Sequence, residues 1–181
     1  RIKNFFYASS GSVYGVSKKL KVTEKTNLLP ISDYNKQKMV TEKILETYSK
    51  KMRVVVIRPA TVCGYSNRLR LDVTVNILTY QAYKNKLITV FGGKQIRPNI
   101  HISDMAGIYL FLLKNKKIEG IFNAGFENLS VLKIAKKIQK LTSCKIKILK
   151  SNDPLVFSIG WRRFQSIPLY SLEDGNDRRR F

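Results

Sequence analysis

The chain has 181 residues, of which 44% are hydrophobic and 10% aromatic, so it is long enough to bury one sizeable core. Only two cysteines, Cys63 and Cys144, and one histidine, His101, are present, which argues against a disulfide framework and a metal site and favours the reducing cytoplasm. No apolar run has the length of a membrane span and no secretory signal is recognisable, so we expect no membrane segment.

The formal net charge of +22 makes nucleic-acid binding an alternative to be weighed, because such a charge attracts polyanions. The lysines are scattered in pairs such as Lys18-Lys19, Lys50-Lys51 and Lys116-Lys117, without regularly interleaved aromatic residues that would stack on bases. We therefore favour a generally lysine-rich composition over a nucleic-acid surface. A substrate that carries a diphosphate would also benefit from this charge.

The first predicted elements are a strand and a helix. Phe5 to Ala8 is a short apolar run that predicts a buried strand, and Ser9 to Gly11 ends it with small residues that allow close approach of a ligand. A helix is predicted from Tyr34 to Lys50, capped by Ser32 or Asp33. Its predicted buried face consists of the apolar residues at i, i+4 spacing: Val40, Ile44 and Tyr48.

Tyr34 and Lys38 are also separated by four residues, so their side chains should project the same way from the start of this helix. A tyrosine hydroxyl ionises only near pH 10 in model peptides, and a base that acts at neutral pH needs a cation close by. Lys38 is the candidate cation. Ser10, Tyr34 and Lys38 are therefore the predicted catalytic residues, while an ordinary amphipathic helix start is the alternative interpretation of the Tyr-x-x-x-Lys pattern alone.

Ser9-Ser10-x-x-Val13-Tyr14-Gly15, followed by Tyr34-x-x-x-Lys38, resembles the extended short-chain dehydrogenase/reductase family, in particular its nucleotide-sugar epimerase and dehydratase branch. The resemblance implies an α/β fold: the C-terminal part of a Rossmann-type parallel sheet with a small α/β substrate-binding lobe. It also implies NAD as the cofactor, with NADP as the alternative, a nucleotide-diphosphate sugar as the substrate, and a homodimer formed through the helix that carries Tyr34.

By the same resemblance, Tyr34 takes a proton from a sugar hydroxyl during hydride transfer, Ser10 hydrogen-bonds the same oxygen, and Lys38 holds the nicotinamide ribose. Ser9 and Pro59 are the further residues expected beside the cofactor. Dehydratases of this branch usually have an Asp-Glu pair directly after the catalytic hydroxyl, where this chain has Gly11-Ser12. We therefore predict an epimerase, with reduction or oxidation of a nucleotide sugar left open.

Further along the chain, Arg53 to Pro59 is a β-branched run that predicts a buried parallel strand. Leu87 to Phe91 predicts a further strand, followed by a turn. Asp104 is the predicted N-cap of the next helix, and His101 is expected to form structural hydrogen bonds. Arg97 resembles the arginine with which the family binds the nucleotide diphosphate, and a guanidinium suits phosphate because it donates two parallel hydrogen bonds. The resemblance therefore makes Arg97 the strongest substrate-binding candidate outside the catalytic residues. The full set of substrate-binding residues that the resemblance implies is Thr61, Asn76, Phe91 and Arg97.

No Gly-x-x-Gly-x-x-Gly turn precedes the first strand, so the resemblance implies a fragment that begins inside the Rossmann domain. We expect the C-terminal part of an NAD-binding domain over residues 1–62 and a substrate-binding lobe, interleaved with the last Rossmann elements, over 63–150. Residues 151–181 are expected to be a weakly family-like, basic and partly disordered tail. Three functions stay open: an epimerase-type oxidoreductase, a catalytically incompetent remnant of one, and a basic nucleic-acid-binding protein.

Overall fold

The structure, a computed structural model, describes residues 2–16 and 22–150. The predicted tail over residues 151–181 lies outside the described residues. The strands are β1 (Asn4–Ala8), β2 (Arg53–Pro59), β3 (Thr61–Cys63), β4 (Leu87–Phe91), β5 (Ile96–His101), β6 (Gly120–Ala124), β7 (Glu127–Ser130) and β8 (Lys145–Leu149). The α-helices are α1 (Asp33–Thr47), α2 (Thr74–Asn85), α3 (Ile102–Lys114) and α4 (Val131–Thr142).

The main sheet is parallel throughout, with the strand order β1-β2-β6. Its central strand β2 has the bounds that the β-branched run predicts, and its residues 54–58 are all buried. Val55 and Ile57 pack with α3 on one face, while Val54 and Val56 pack with Leu45 of α1 on the other. A strand that is covered on both faces has to be nearly continuously apolar, which explains the sequence of β2.

Two smaller sheets complete the described part of the chain. In one, β5 lies between β3, which is parallel to it, and β7, which is antiparallel. In the other, β4 and β8 pair in parallel and pack with α2 and α4 into a second apolar core, called here the small-lobe core: Leu78, Ala82, Ile88, Val90, Ile134, Ala135, Ile138 and Cys144. The predicted fold class, an α/β fold with a parallel Rossmann-type sheet, is confirmed. The predicted boundaries of the three regions stay a prediction.

The face that α1 buries is not the predicted one. Val40, Ile44 and Tyr48 are between 45% and 53% exposed, and the helix instead buries Glu42 and Leu45. Successive helical residues are about 100° apart, so Val40 lies about 200° around the axis from Lys38. Because the side that carries Tyr34 and Lys38 faces the main sheet, the apolar stripe is turned to solvent. The prediction of a buried stripe was therefore wrong.

The two helix starts near the predicted site differ in how well the sequence predicted them. Ser32 caps α1, since its Oγ accepts a hydrogen bond from the backbone N–H of Asn35 at 3.3 Å. The predicted Asp104 cap of α3 was wrong, because the helix begins at Ile102 and the cap is His101, whose Nδ1 accepts from the N–H of Ser103 at 3.3 Å. Asp104 is instead buried in the first turn, where the positive end of the helix dipole favours a carboxylate.

Across residues 2–16 and 22–150, none of the helices combines the length and the apolar character needed to cross a bilayer.

Candidate active site

A cavity of about 630 Å³ opens where β1 and β2 end, at the carboxyl edge of the main sheet. Parallel α/β sheets bind their ligands at this edge. Six of the predicted site residues line the cavity: Ser9, Ser10, Tyr34, Pro59, Thr61 and Asn76. The cavity therefore brings together six of the nine predicted site residues, whose roles stay predictions.

The serine segment forms a hydrogen-bonded chain at one wall of the cavity. Ser10 caps a single 3-10 turn, Gly11–Tyr14, and its Oγ accepts from the Ser12 N–H at 3.2 Å. The Ser12 hydroxyl donates to Asn35 Oδ1 on α1 at 2.6 Å, and the Ser10 and Ser12 oxygens are 2.7 Å apart. Since a hydroxyl has one proton, Ser10 donates to Ser12, and the lone pairs of Ser10 are the part of it that can accept from a ligand.

Tyr34 and Lys38 lie side by side on α1. The Tyr34 ring is 56% exposed and lines the cavity. The Lys38 ammonium is 5.5 Å from the centroid of that ring and donates a hydrogen bond to the backbone oxygen of Ala8 at 2.8 Å. The same ammonium is 4.9 Å from the Tyr7 ring centroid. Lys38 thus joins α1 to the end of β1 and keeps a positive charge next to the Tyr34 phenol.

Asn76 anchors a loop that forms a further part of the cavity wall. Its Oδ1 accepts from the backbone N–H of Gly64 at 3.0 Å, and its Nδ2 donates to the backbone oxygen of Arg70 at 2.9 Å. This loop presents two cavity-lining guanidinium groups, Arg68 and Arg70, that the sequence analysis missed. Arg70 forms an exposed ion pair with Asp72 at 2.5 Å. The Arg-x-Arg spacing in a polar loop was the signal that would have identified them.

Phe91 and Arg97, the other two predicted substrate-binding residues, are not among the described residues that line the cavity. Phe91 ends β4 in the small lobe and is 57% exposed. Arg97 lies half-buried on β5, and its neighbour Pro98 lines the cavity instead. Side chains alternate between the two faces of a strand, which explains why only one of two neighbouring residues reaches the cavity. The substrate-binding roles of Phe91 and Arg97 stay predictions.

Beneath the cavity, a group of polar side chains that is here called the buried polar cluster joins four elements and the serine segment. It consists of Ser9, Tyr14, Glu42, Arg58 and Asn123, each at most 3% exposed. Arg58 Nη2 and Glu42 Oε2 are 2.5 Å apart, and the Ser9 hydroxyl donates to Glu42 Oε1. Arg58 Nη1 donates to the Tyr14 hydroxyl at 2.9 Å, and Tyr14 donates to Asn123 Oδ1 at 2.7 Å. The sequence analysis missed this cluster.

Two groups of the buried polar cluster have shifted pKa values. Burial raises the pKa of the Tyr14 hydroxyl, although the neighbouring Arg58 guanidinium acts in the opposite direction. Burial alone would lower the pKa of Arg58, but its hydrogen bond to Glu42 and the adjacent charges raise it. Tyr14 therefore stays protonated and Arg58 stays charged at neutral pH, so the cluster holds a fixed pattern of donors and acceptors.

No group of three or more His, Cys, Asp or Glu side chains within the described residues could hold a metal ion.

A family model described as the NAD dependent epimerase/dehydratase family matches residues 1–125, which include the serine segment, Tyr34 and the cavity loop. The chain belongs to this family. The similar curated proteins include the uncharacterised UDP-glucose epimerase YtcB of Bacillus subtilis, which is 37% identical over 149 residues and is matched over 80% of this chain. Among solved structures, the UDP-glucuronic acid 4-epimerase of Bacillus cereus in complex with NAD is similar, with 29% identity, a TM-score of 0.78 and 95% of this chain covered.

This epimerase-family chain spans only part of these relatives: 46% of YtcB and 58% of the Bacillus cereus epimerase chain. A second, short similarity has a different character. The human ribosome biogenesis protein BMS1 homolog is 71% identical over 34 residues, which cover 19% of this chain and 3% of the human protein. The family relationship therefore rests on most of the chain, and the second similarity rests on one short segment.

Proposed function

We propose that this chain is the catalytic and substrate-binding part of an NAD-dependent nucleotide-sugar epimerase, an isomerase that works by oxidoreduction. The observation that carries the proposal is the meeting of the Ser10 hydroxyl and the Tyr34 phenol at one cavity, with the Lys38 ammonium 5.5 Å from the Tyr34 ring centroid. The cavity volume of about 630 Å³ is in the usual range of ligand pockets.

The residues present fit the nicotinamide half of a dinucleotide. The cavity lies at the carboxyl edge of a parallel sheet, and Ser9 and Pro59 give it a wall without charge. Lys38 has three N–H donors, and the Ala8 oxygen takes one of them, so donors are left for ribose hydroxyls. Within the described residues β1 pairs only with β2, so its other edge can accept a further strand.

The proposed roles follow from these positions. The chemistry that NAD supplies when bound is acceptance of a hydride from a sugar carbon. Tyr34 takes the proton from the hydroxyl on that carbon, and the Ser10 hydroxyl turns from Ser12 to donate a hydrogen bond to the same oxygen. Lys38 donates to the cofactor ribose and keeps a positive charge beside the phenolate. In the return step Tyr34 would give the proton back as the hydride returns to the opposite face of the same carbon, so the sugar would leave as an epimer with no net redox change.

A nucleotide-diphosphate sugar is the substrate class that the rest of the cavity supports. Thr61 and Asn76 offer neutral polar groups for sugar hydroxyls, and the lining residues Arg68 and Arg70 add two positive charges. Guanidinium binds phosphate through paired hydrogen bonds, and a diphosphate can replace the exposed Asp72 as the partner of Arg70. A UDP-sugar is the first substrate to test because YtcB carries the name of a UDP-glucose epimerase.

Calorimetric titration with NAD, NADP and UDP-glucose tests the proposal. The 181-residue chain is compared with its Tyr34→Phe variant and with the full product of its gene, called the longer protein where it extends beyond these residues. We expect the longer protein to bind NAD and to interconvert UDP-glucose and UDP-galactose. The Tyr34→Phe variant of the longer protein should keep NAD binding and lose at least about a hundredfold in turnover, because general acid–base catalysis contributes on this scale.

The outcomes separate the competing interpretations. Binding of UDP-glucose by the chain and turnover only by the longer protein would support a substrate-binding part of a working enzyme. Absence of turnover in the longer protein, with the fold intact by circular dichroism, would support the incompetent remnant and overturn the epimerase proposal. Tighter binding of NADP than of NAD would correct the cofactor.

We also propose that the protein is a homodimer formed through α1. The exposed stripe of Val40, Ile44 and Tyr48 supports this proposal, because it presents apolar side chains on the solvent face of one helix. Sedimentation velocity should show a dimer for the unchanged protein and a monomer for Ile44→Glu. Lys43→Glu, which puts the same carboxylate on the neighbouring exposed position, is the control and should remain dimeric. A monomeric unchanged protein would overturn the proposal.

The two free cysteines support a cytoplasmic location, which we propose as well. Cys63 and Cys144 are both buried and unpaired with each other. Thiol titration of the denatured protein after purification from cells should find both thiols reduced, and a disulfide-linked species would contradict the proposed location.

Nucleic-acid binding is a second candidate function, which the net charge of +22 and the 34-residue similarity to a ribosome biogenesis protein favour. Binding of the full chain to a 30-nucleotide RNA should then weaken steeply as salt rises, and should not change in Tyr34→Phe. RNA affinity that is already negligible in about 0.1 M salt would remove this candidate.

A further inference from the structure

The buried polar cluster is costly as a stabilising device. Removing an ion from water costs several kcal/mol even after relaxation, and a buried ion pair is often no more stable than apolar side chains of the same size. Glu42 and Arg58 are both 3% exposed, so both charges carry this cost. The stability of the fold alone does not explain why the cavity floor holds a charged pair rather than two apolar residues.

The position of Glu42 joins the two halves of the proposed active site. It lies one helical turn after Lys38 and two turns after Tyr34, on the same side of α1. Its Oε1 accepts from the hydroxyl of Ser9, the residue directly before Ser10, and from Arg58 Nε at 3.0 Å. A single carboxylate therefore touches the helix that carries the proposed base and the segment that carries the proposed hydroxyl.

Arg58 fixes this carboxylate to the most rigid part of the main sheet. It is on the central strand β2, and it donates to Glu42 Oε2 from Nη2 at 2.5 Å and from Nε at 3.2 Å. Its Nη1 donates to the hydroxyl of Tyr14, the last residue of the 3-10 turn that Ser10 caps. Arg58 thus holds α1 through Glu42 and the far end of the serine turn through Tyr14.

Two other contacts join α1 to the serine segment, but water reaches both of them. The bond from Lys38 to the Ala8 oxygen is exposed, and the bond from Ser12 to Asn35 is only partly buried. The bond from Ser9 to Glu42 is fully buried. A hydrogen bond that is shielded from water is stronger and exchanges less easily with solvent. The Glu42 contact therefore contributes most to the distance between α1 and the serine segment.

We propose that Glu42 is a positioning residue: held by Arg58, its carboxylate sets the distance between the Ser10 hydroxyl and the Tyr34 phenol. The proposal rests on the proposed function, since the groups that it positions are those assigned to proton transfer. Glu42 itself lies beneath the cavity and is not among the described residues that line it. Its effect should therefore appear in turnover rather than in substrate binding.

Three variants of the longer protein that the gene encodes test this. Glu42→Gln keeps the size of the side chain and removes the charge. Glu42→Leu with Arg58→Leu removes the pair and restores an apolar, stable core. Glu46→Gln makes the same chemical change one turn further along α1 at an exposed position and is the matched control. kcat, KM for UDP-glucose and the thermal unfolding midpoint are measured for each.

We expect Glu42→Gln to lose roughly tenfold to a hundredfold in kcat, because a misplacement of about 1 Å has an effect of that size, with KM for UDP-glucose within about twofold of the unchanged protein. The double leucine variant should unfold no earlier than the unchanged protein and should still show the low kcat. Glu46→Gln should match the unchanged protein in all three measurements. Full recovery of kcat in the stable double variant would show that the pair is only structural.

A second measurement separates failure of this proposal from failure of the proposed function. Acetic anhydride labels free lysine amines, and the rate at Lys38 is read by mass spectrometry. Loss of the Glu42 contact should loosen the end of β1 and increase labelling of Lys38 several-fold in Glu42→Gln, with no change in Glu46→Gln. The rate of Lys38 labelling tests the positioning role even if the unchanged protein shows no epimerisation. Equal labelling of Lys38 in Glu42→Gln and Glu46→Gln would overturn that role.

Discussion

Two of the cores formed by the described residues use different kinds of side chain. The small-lobe core between α2, α4, β4 and β8 consists of aliphatic residues and one cysteine. The core beneath the cavity combines aliphatic residues of β2 with the buried polar cluster. Aliphatic burial is non-directional, so it tolerates small shifts. A buried hydrogen-bonded cluster is favourable in only one geometry, and it lies under the residues that need a defined geometry.

Removal of one charge from an ion pair should lower the free energy of unfolding much more beneath the cavity than in the small lobe. Arg58→Met leaves the Glu42 carboxylate buried without its cation and should lower the free energy of unfolding by about 3–5 kcal/mol. The control is Lys137→Met in the small lobe, where Lys137 pairs with Glu127 at 3.1 Å and is 40% exposed. The pair of Lys137 and Glu127 should contribute less than about 1 kcal/mol to the free energy of unfolding. Urea unfolding followed by circular dichroism measures both, and similar losses would contradict the contrast.

Truncation of a buried apolar side chain in the small-lobe core should lower the free energy of unfolding nearly as much as Arg58→Met does. Ile88 is fully buried in the small-lobe core, so Ile88→Ala should cost about 2–5 kcal/mol through lost burial and the resulting cavity. Leu141→Ala is the control on α4, because Leu141 is 66% exposed, and it should stay within about 0.5 kcal/mol. Binding of UDP-glucose at a temperature where the variant is folded should not change. A selective loss of binding would show that the two cores are coupled.

Alkaline pH should destabilise the region of the cavity through Cys63. Burial raises the pKa of the Cys63 thiol from 9.0 to about 11, with the Asp104 carboxylate as a further cause. Since the folded protein keeps the proton more tightly than the unfolded chain, this contribution is complete below pH 9 and is lost as the pH rises to 11. The loss in the free energy of unfolding is on the order of 3 kcal/mol, because each of the two pKa units corresponds to about 1.4 kcal/mol.

The variant Cys63→Ala isolates this effect. The difference in unfolding free energy between Cys63→Ala and the unchanged protein should be constant from pH 7 to about 8 and should shrink as the thiol ionises near pH 10. Urea unfolding at a series of pH values measures it. A difference that stays constant through the alkaline range would show that the thiol ionises as easily in the folded protein as in the unfolded chain.

Loss of a helix cap should have the smallest effect on the free energy of unfolding, and the effect should be equal in the two regions. Ser32 caps α1 beside the cavity, and Ser130 caps α4 in the small lobe through its Oγ and the Lys133 N–H at 3.2 Å. Each substitution by alanine should cost about 1 kcal/mol, because both caps satisfy one backbone N–H near solvent. Thermal unfolding compares the two variants. A much larger cost for Ser32→Ala would mean that α1 depends on its start more than on the buried polar cluster.

Local patterns in the sequence determined the elements and much of the site. The β-branched run predicted β2 to the residue, and the apolar run Leu87 to Phe91 did the same for β4. The Ser-Ser and Tyr-x-x-x-Lys motifs predicted which residues meet at the cavity. These signals are local because strand propensity and helical spacing depend on residues a few positions apart.

Contacts between distant residues were decided only by the tertiary structure. The side of α1 that is buried depends on the sheet beneath it, so the spacing of Val40, Ile44 and Tyr48 predicted the wrong buried face. The pairing of Glu42 with Arg58 spans 16 positions, and that of Tyr14 with Asn123 spans 109. A buried charge is tolerated only where its partner is present, and the sequence does not state which partner the fold will bring there.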